Sequence, residues 1–179
     1  MLNRFATRFR ESKSGMAAVE FALIVPIMLA TFFGVAEISD YILSARKVAG
    51  ISSVAADLVA QNKTISNADM TDVMDALNVI MHPYNPSQST IRISSIVADN
   101  NGTRTIRWSD ARRVSPFTAG SPAPGWVPAT VVPANSSVIV AEVSFNYQSL
   151  FGMYLTSGMT VSDTFYMRPR RSIEVDRTQ

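Results

Sequence analysis

The sequence predicts an α+β protein built on one long N-terminal helix, whose first part crosses a membrane and whose second part enters a head with a second helix and an antiparallel sheet of about four strands. Three observations point there. Met16 to Ala36 is an apolar run whose only charge is Glu20. Apolar residues then recur at three- and four-residue steps to about Ala60. From Ile91 to Met167 the spacing changes to alternation punctuated by turn residues.

The apolar run is long enough, at about 1.5 Å per residue, to cross a hydrocarbon core roughly 30 Å thick. It is broken only by Pro26 and Thr31 between Phe21 and Phe33. Before it stand Arg4, Arg8, Arg10 and Lys13 against the single acid Glu11, and after it come Glu37 and Asp40. Basic residues hold their end of a span in the cytoplasm, so residues beyond about 37 are expected outside it. Two kinds of processing fit the composition. The basic start, the apolar run and the small residues Gly34 and Ala36 around Val35 suit a Sec signal peptide. An uncleaved anchor suits the same residues. Glu20 fits a signal peptide badly, because an ionised group beside the bilayer is costly and usually marks a function.

Beyond the membrane, Ile38, Tyr41, Ile42, Ala45, Ala49, Ile51, Val54, Ala55, Leu58 and Val59 continue the helical pattern, and a sheet is expected to cover the stripe that includes Val54 and Leu58. A second helix is expected to start at Ser66, with Asp69 three residues on, and to carry Met70, Val73, Met74, Leu77, Ile80 and Met81 on its apolar face. Pro83 and Pro86 end it. Strands follow at Ile91–Val97 and Thr103–Trp108 around the turn Asn100-Asn101-Gly102, then at Val138–Tyr147 and Met159–Met167. Between them Ser115 to Ser136 holds Pro116, Pro122, Pro124, Pro128 and Pro133, which reads as a surface excursion or contact loop.

Composition excludes several activities. With 16 Lys and Arg against 14 Asp and Glu in 179 residues, the net charge of +2 is too small for a strongly basic nucleic-acid binder. The chain has no cysteine, hence no disulfide, thiolate ligand or cysteine nucleophile, and its one histidine cannot build a histidine metal cluster. His82 has no nucleophile pattern beside it and receives no role. Asp69, Asp72 and Asp75 lack an EF-hand loop and read as a solvated helix start favoured by the helix dipole. The ending Arg168-Pro169-Arg170-Arg171 is offset by Glu174 and Asp176 and reads as a solvated tail. Nothing calls for a catalytic residue, a metal or a cofactor.

One stretch carries a resemblance. Ser14-Gly15-Met16-Ala17-Ala18-Val19-Glu20-Phe21-Ala22-Leu23-Ile24-Val25-Pro26 places a glycine after a basic leader and Glu-Phe five residues on, ahead of a long apolar helix. It resembles the class III signal of type IV pilin-like proteins, and specifically the TadE/TadF-type pseudopilins of the tight-adherence (Tad) pilus. The resemblance implies a cytoplasmic leader over 1–15, a transmembrane helix over 16–36 and an extracytoplasmic, pilin-like head over 37–179. It implies a processing site at Gly15, Met16, Glu20 and Phe21, cut between Gly15 and Met16 by a prepilin peptidase. It also implies a single-pass place in the bacterial inner membrane with the head periplasmic. Partners would be other pseudopilins, Tad inner-membrane assembly proteins and the pilus filament, with no nucleic acid. The length of the processed chain favours a minor pilin. Physical chemistry supports the spacing: glycine lets a backbone approach a catalytic site closely, and the new α-amine of Met16 would lie one helical turn from Glu20, in its own chain or a neighbour. A cell-envelope binding domain unrelated to pili is the other class of function the residues allow.

Overall fold

The computed structural model describes residues 15–149, 152 and 158–178. The expected leader, apart from Gly15, lies outside the described residues. Helix α1 spans Met16–Ala60 and passes through Pro26 without ending. The fully buried residues of its length begin only at Glu37. From there one face is buried: Glu37, Ser44, Val48, Ile51, Ser52, Ala55, Ala56, Val59 and Ala60. Four of these are Ser or Ala, apart from the terminal Ala60, and short side chains let the sheet lie close against the helix. This corrects the expected stripe. Val54 is 38% exposed and Leu58 only half-buried, because the apolar residues of α1 occupy too wide an arc for spacing alone to select the packed side.

Helix α2, Asn67–Ile80, starts where its cap predicts. The Asp69 amide donates to Ser66 Oγ (3.2 Å) and the Ser66 amide donates to Asp69 Oδ2 (2.9 Å), so two otherwise orphaned amides are satisfied. The Ser66 hydroxyl (2.7 Å) and then its amide, both donating to the Asp69 carboxylate, hold that carboxyl below its ordinary range. Met70, Met74, Leu77 and Met81 are buried, so the methionines fill core space. Asp75 is not merely solvated: Arg112 reaches it at 2.6 Å and ties the helix to the sheet.

Four antiparallel strands, β2 (Ser89–Ala98), β3 (Arg104–Arg112), β4 (Ser137–Tyr147) and β5 (Met159–Met167), form a sheet in the order β3-β2-β4-β5. Gly102, at φ +80°, turns the β2–β3 hairpin, with the Asn101 and Thr103 amides donating to Asp99 Oδ1. A bulge at Ser95/Ile96 leaves Arg107 as the extra residue on β3. Ile91, Ile93, Ile139, Ala141, Val143, Phe145 and Tyr147 face the helices and close the main core. The opposite face carries a second core of Ile96, Ile106, Val138 and Val140. Its cover is the proline-rich segment, which inserts Val127 and Val132 and pairs with the edge of β3 through Ile106 N to Ser121 O and Gly120 N to Ile106 O. The expected surface excursion is therefore the third layer of the head. Arg92 and Glu142 form a two-point ion pair on that face at 2.7 and 2.8 Å, under Phe117.

The C-terminal segment overturns the solvated-tail reading. Val175 is fully buried, and Trp108 Nε1 donates to its carbonyl at 2.7 Å. Strand β6 (Asp176–Arg177) pairs in parallel with β1 (Thr64–Ile65), and Arg177 reaches Asp110 at 2.8 Å. Arg170 donates its amide to Ala60 O and pairs with Asp57 at 2.5 Å, which closes the end of α1.

Candidate functional site: the start of the long helix and its junction with the head

The processing-site residues sit together at the free end of α1. Gly15 has φ −87° and ψ −14°, a conformation any residue adopts, and a Cβ built there meets no atom within 4 Å. The fold itself therefore makes no demand for glycine at this position. Met16, Glu20 and Phe21 are all exposed, and Glu20 makes no ion pair or hydrogen bond among the described residues. Met16 and Glu20 stand four apart in a continuous helix, so they lie on one face.

The next four turns are apolar on every side. Val19, Phe21, Leu23, Ile24, Ile27 and Phe32 are at least half exposed. Thr31, the polar side chain of this stretch, donates its hydroxyl to Ile27 O at 2.9 Å, which satisfies it within the helix. Pro26 lacks the amide that would bond Ala22 O, and the helix continues regardless. Pro26, Ala30 and Gly34 line a shallow groove on one side. By length and composition alone, α1 is long and apolar enough to cross a membrane.

The junction is built from residues that sequence reasoning passed over. Asp40 accepts from two phenols: Tyr84 Oη to Oδ1 at 2.9 Å and Tyr147 Oη to Oδ2 at 2.9 Å. The Tyr41 ring meets the Tyr147 ring edge-on at 5.4 Å, and Tyr84 packs on Phe145 at 5.5 Å. Burial, reinforced by the Asp40 carboxylate, pushes the Tyr84 hydroxyl up to about 12 and raises Tyr147 further in the same direction. Lys47 donates to the carbonyls of Ile80 (3.1 Å) and His82 (2.6 Å), capping the end of α2 with a cation. His82 contributes its backbone carbonyl here. The signal available in sequence was a carboxylate just past a membrane span with tyrosines elsewhere to meet it. No local spacing joins residues 40, 84 and 147.

Among the described residues no three His, Cys, Asp or Glu side chains are grouped to hold a metal ion. In comparisons with known proteins, the family model described as TadE, TadE-like protein, matches residues 15–57. No curated protein and no solved structure matches the chain. The matched stretch opens at Gly15, contains Glu20 and Phe21, crosses the apolar half of α1 and runs into its packed half past Asp40 and Lys47. Over residues 15–57 the chain is similar to TadE-like proteins, and this match agrees with the long apolar helix and the α+β head.

Proposed function

We propose that this protein is a minor pilin, or pseudopilin, that a prepilin peptidase cuts between Gly15 and Met16 and that then takes part in assembling a Tad-type pilus from the inner membrane. The observation that carries this reading is the TadE-like match beginning at Gly15, the residue before the expected cut. Gly15 adds to it: neither its backbone angles nor its surroundings require glycine. A requirement from outside the chain accounts for it, namely a peptidase that must come close to the backbone.

The parts then divide the work. Residues 1–15 form the cytoplasmic leader, 16–36 the membrane helix, and 37–179 the periplasmic head. Once the leader is removed, the Met16 amine is a cation one turn from Glu20, and the two neutralise each other within one chain or between neighbours. The groove at Ala30 and Gly34 gives neighbouring helices a close approach. The partners are the prepilin peptidase, other pseudopilins, the Tad inner-membrane assembly proteins and the filament. In this reading the protein is a substrate and a building part, not a catalyst.

A Sec cut after Ala36 fits less well, because α1 is continuous helix across Ala36 and Glu37, and Glu37 is buried beneath the head. Intact mass and amino-terminal sequencing of the membrane-extracted protein test the proposal. A chain starting at Met16 is expected. A chain starting at Glu37 supports the Sec reading, and an uncut terminus supports a simple anchor.

A further inference from the structure

The uncovered side of α1 does not become polar where the head begins. Ile38, Ile42 and Leu43 are 51, 45 and 57% exposed, although they stand level with the Tyr84–Asp40–Tyr147 junction. Between Phe21 and Ala45 the charged residues are Glu37 and Asp40. Both lie on the packed side: Glu37 is buried and Asp40 is held by the two phenols. The outer arc of the helix therefore runs free of charge from Glu20 to Arg46. Past that point it changes character, to exposed Arg46, Ala49 and Gly50.

We propose that the bilayer boundary on this side of α1 lies at Leu43–Arg46, two turns beyond Ala36, so that the base of the head rests in the lipid interface with Arg46 at the phosphate layer. The inference rests on the reading of α1 as a membrane span. The occupant is lipid because the patch continues the apolar surface of the span on the same helix, with no polar break between them. Length agrees. A hydrocarbon core of about 30 Å that starts at Phe21 ends near Tyr41 at 1.5 Å per residue, and headgroups occupy the next few ångströms. Charge agrees as well. Arg46 makes no ion pair among the described residues, and its stem can lie along apolar surface while its guanidinium meets a phosphate.

The chain contains no cysteine, so single-cysteine variants report cleanly. The full chain carrying Leu23→Cys, Leu43→Cys or Gly50→Cys would be reconstituted into vesicles of phosphatidylethanolamine and phosphatidylglycerol. Each would be treated with a membrane-impermeant maleimide and, in a parallel sample carrying a fluorescent label, with nitroxide lipids as quenchers. Position 50 lies two turns beyond 43 on the same arc and has open space around it. Leu43→Cys is expected to react roughly tenfold more slowly than Gly50→Cys and to be quenched by the lipids, with Leu23→Cys unreactive. Adding Arg46→Glu should raise the Leu43→Cys rate severalfold, and an unchanged rate removes Arg46 from the proposal. If Leu43→Cys reacts as fast as Gly50→Cys while Leu23→Cys stays protected, the boundary proposal fails and the membrane span stands. Reaction at position 23 too would overturn the span itself. Protection at 43 without lipid quenching would mean that a second copy or another protein covers the patch, and would also overturn the proposal.

Discussion

From Met16 to Ala36 helix α1 turns apolar side chains outward in every direction, whereas from Glu37 to Ala60 it buries one narrow face of Ser, Ala, Val and Ile against the sheet. The outer half carries Gly15 and Glu20, which make no side-chain hydrogen bond or ion pair among the described residues. In the inner half, Asp40 and Lys47 fasten the head to the helix. The difference teaches where each residue's purpose is to be sought: in the lipid and in other proteins for the first half, within the fold for the second.

The sharpest way to break this comparison is Gly15→Leu. The larger side chain has room in the fold, yet the precursor should remain entirely uncut in cells with the peptidase, as read by mass and amino-terminal sequencing. Normal processing of this variant would sink the assignment of the site. Next in size is Ile51→Asp, which buries an unpaired carboxylate at the centre of the packed half and should cost about 4 kcal/mol or more, enough to unfold a marginal head. Val54→Asp, three residues away on the open side, should cost well under about 1 kcal/mol in the same denaturation measurement. Equal effects at 51 and 54 would mean that the two sides of the inner half do not differ.

Glu20→Ala probes the outer half without touching the head. Insertion and thermal unfolding should match the parent, while recovery with pilus components and filament number should fall several-fold; unchanged assembly would remove the charge pair from the reading. At the junction, Tyr147→Phe should cost about 1–2 kcal/mol by deleting one phenol–carboxylate bond. The pH dependence follows from the direction of the shifts. Both tyrosines titrate above their ordinary value in the folded protein, so their contribution is complete below about pH 10 and is lost as pH rises towards about 12, where Tyr84 ionises. Tyrosinate absorbance followed alongside unfolding should show this alkaline loss, reduced in Tyr147→Phe. The smallest effect expected is at α2, where Ser66→Ala should cost about 1 kcal/mol. The Asp69 share of that cap is present above the ordinary aspartate pKa of about 3.9 and is lost on acidification below it, because the folded value is depressed.

Read from sequence alone, the limits of α1, the Ser66 cap and the four long strands were all legible, since each depends on neighbours within a few positions: a run, a spacing, a cap or a turn. The similarity to TadE-like proteins over residues 15–57 followed from the same kind of signal, because the Gly15–Pro26 pattern is local.

Other features depended on contacts between residues far apart in the chain. Val54 and Ala55 are adjacent and both apolar, and only the position of β4 and β5 decides that Ala55 is buried and Val54 is not. The proline-rich segment had the composition of a loop, yet Val127 and Val132 close a second core because the outer face of the sheet, with Ile96, Ile106, Val138 and Val140, would otherwise meet water. The C-terminal tail had the charges of a solvated end, yet Val175 and Trp108 find each other across the head, and Asp40 meets Tyr84 and Tyr147 across gaps no period spans. Local pattern determined which elements exist and set the Gly15–Pro26 motif at the start of the long helix. Tertiary packing decided which faces meet, because burial is a property of the assembled surfaces and not of any one segment.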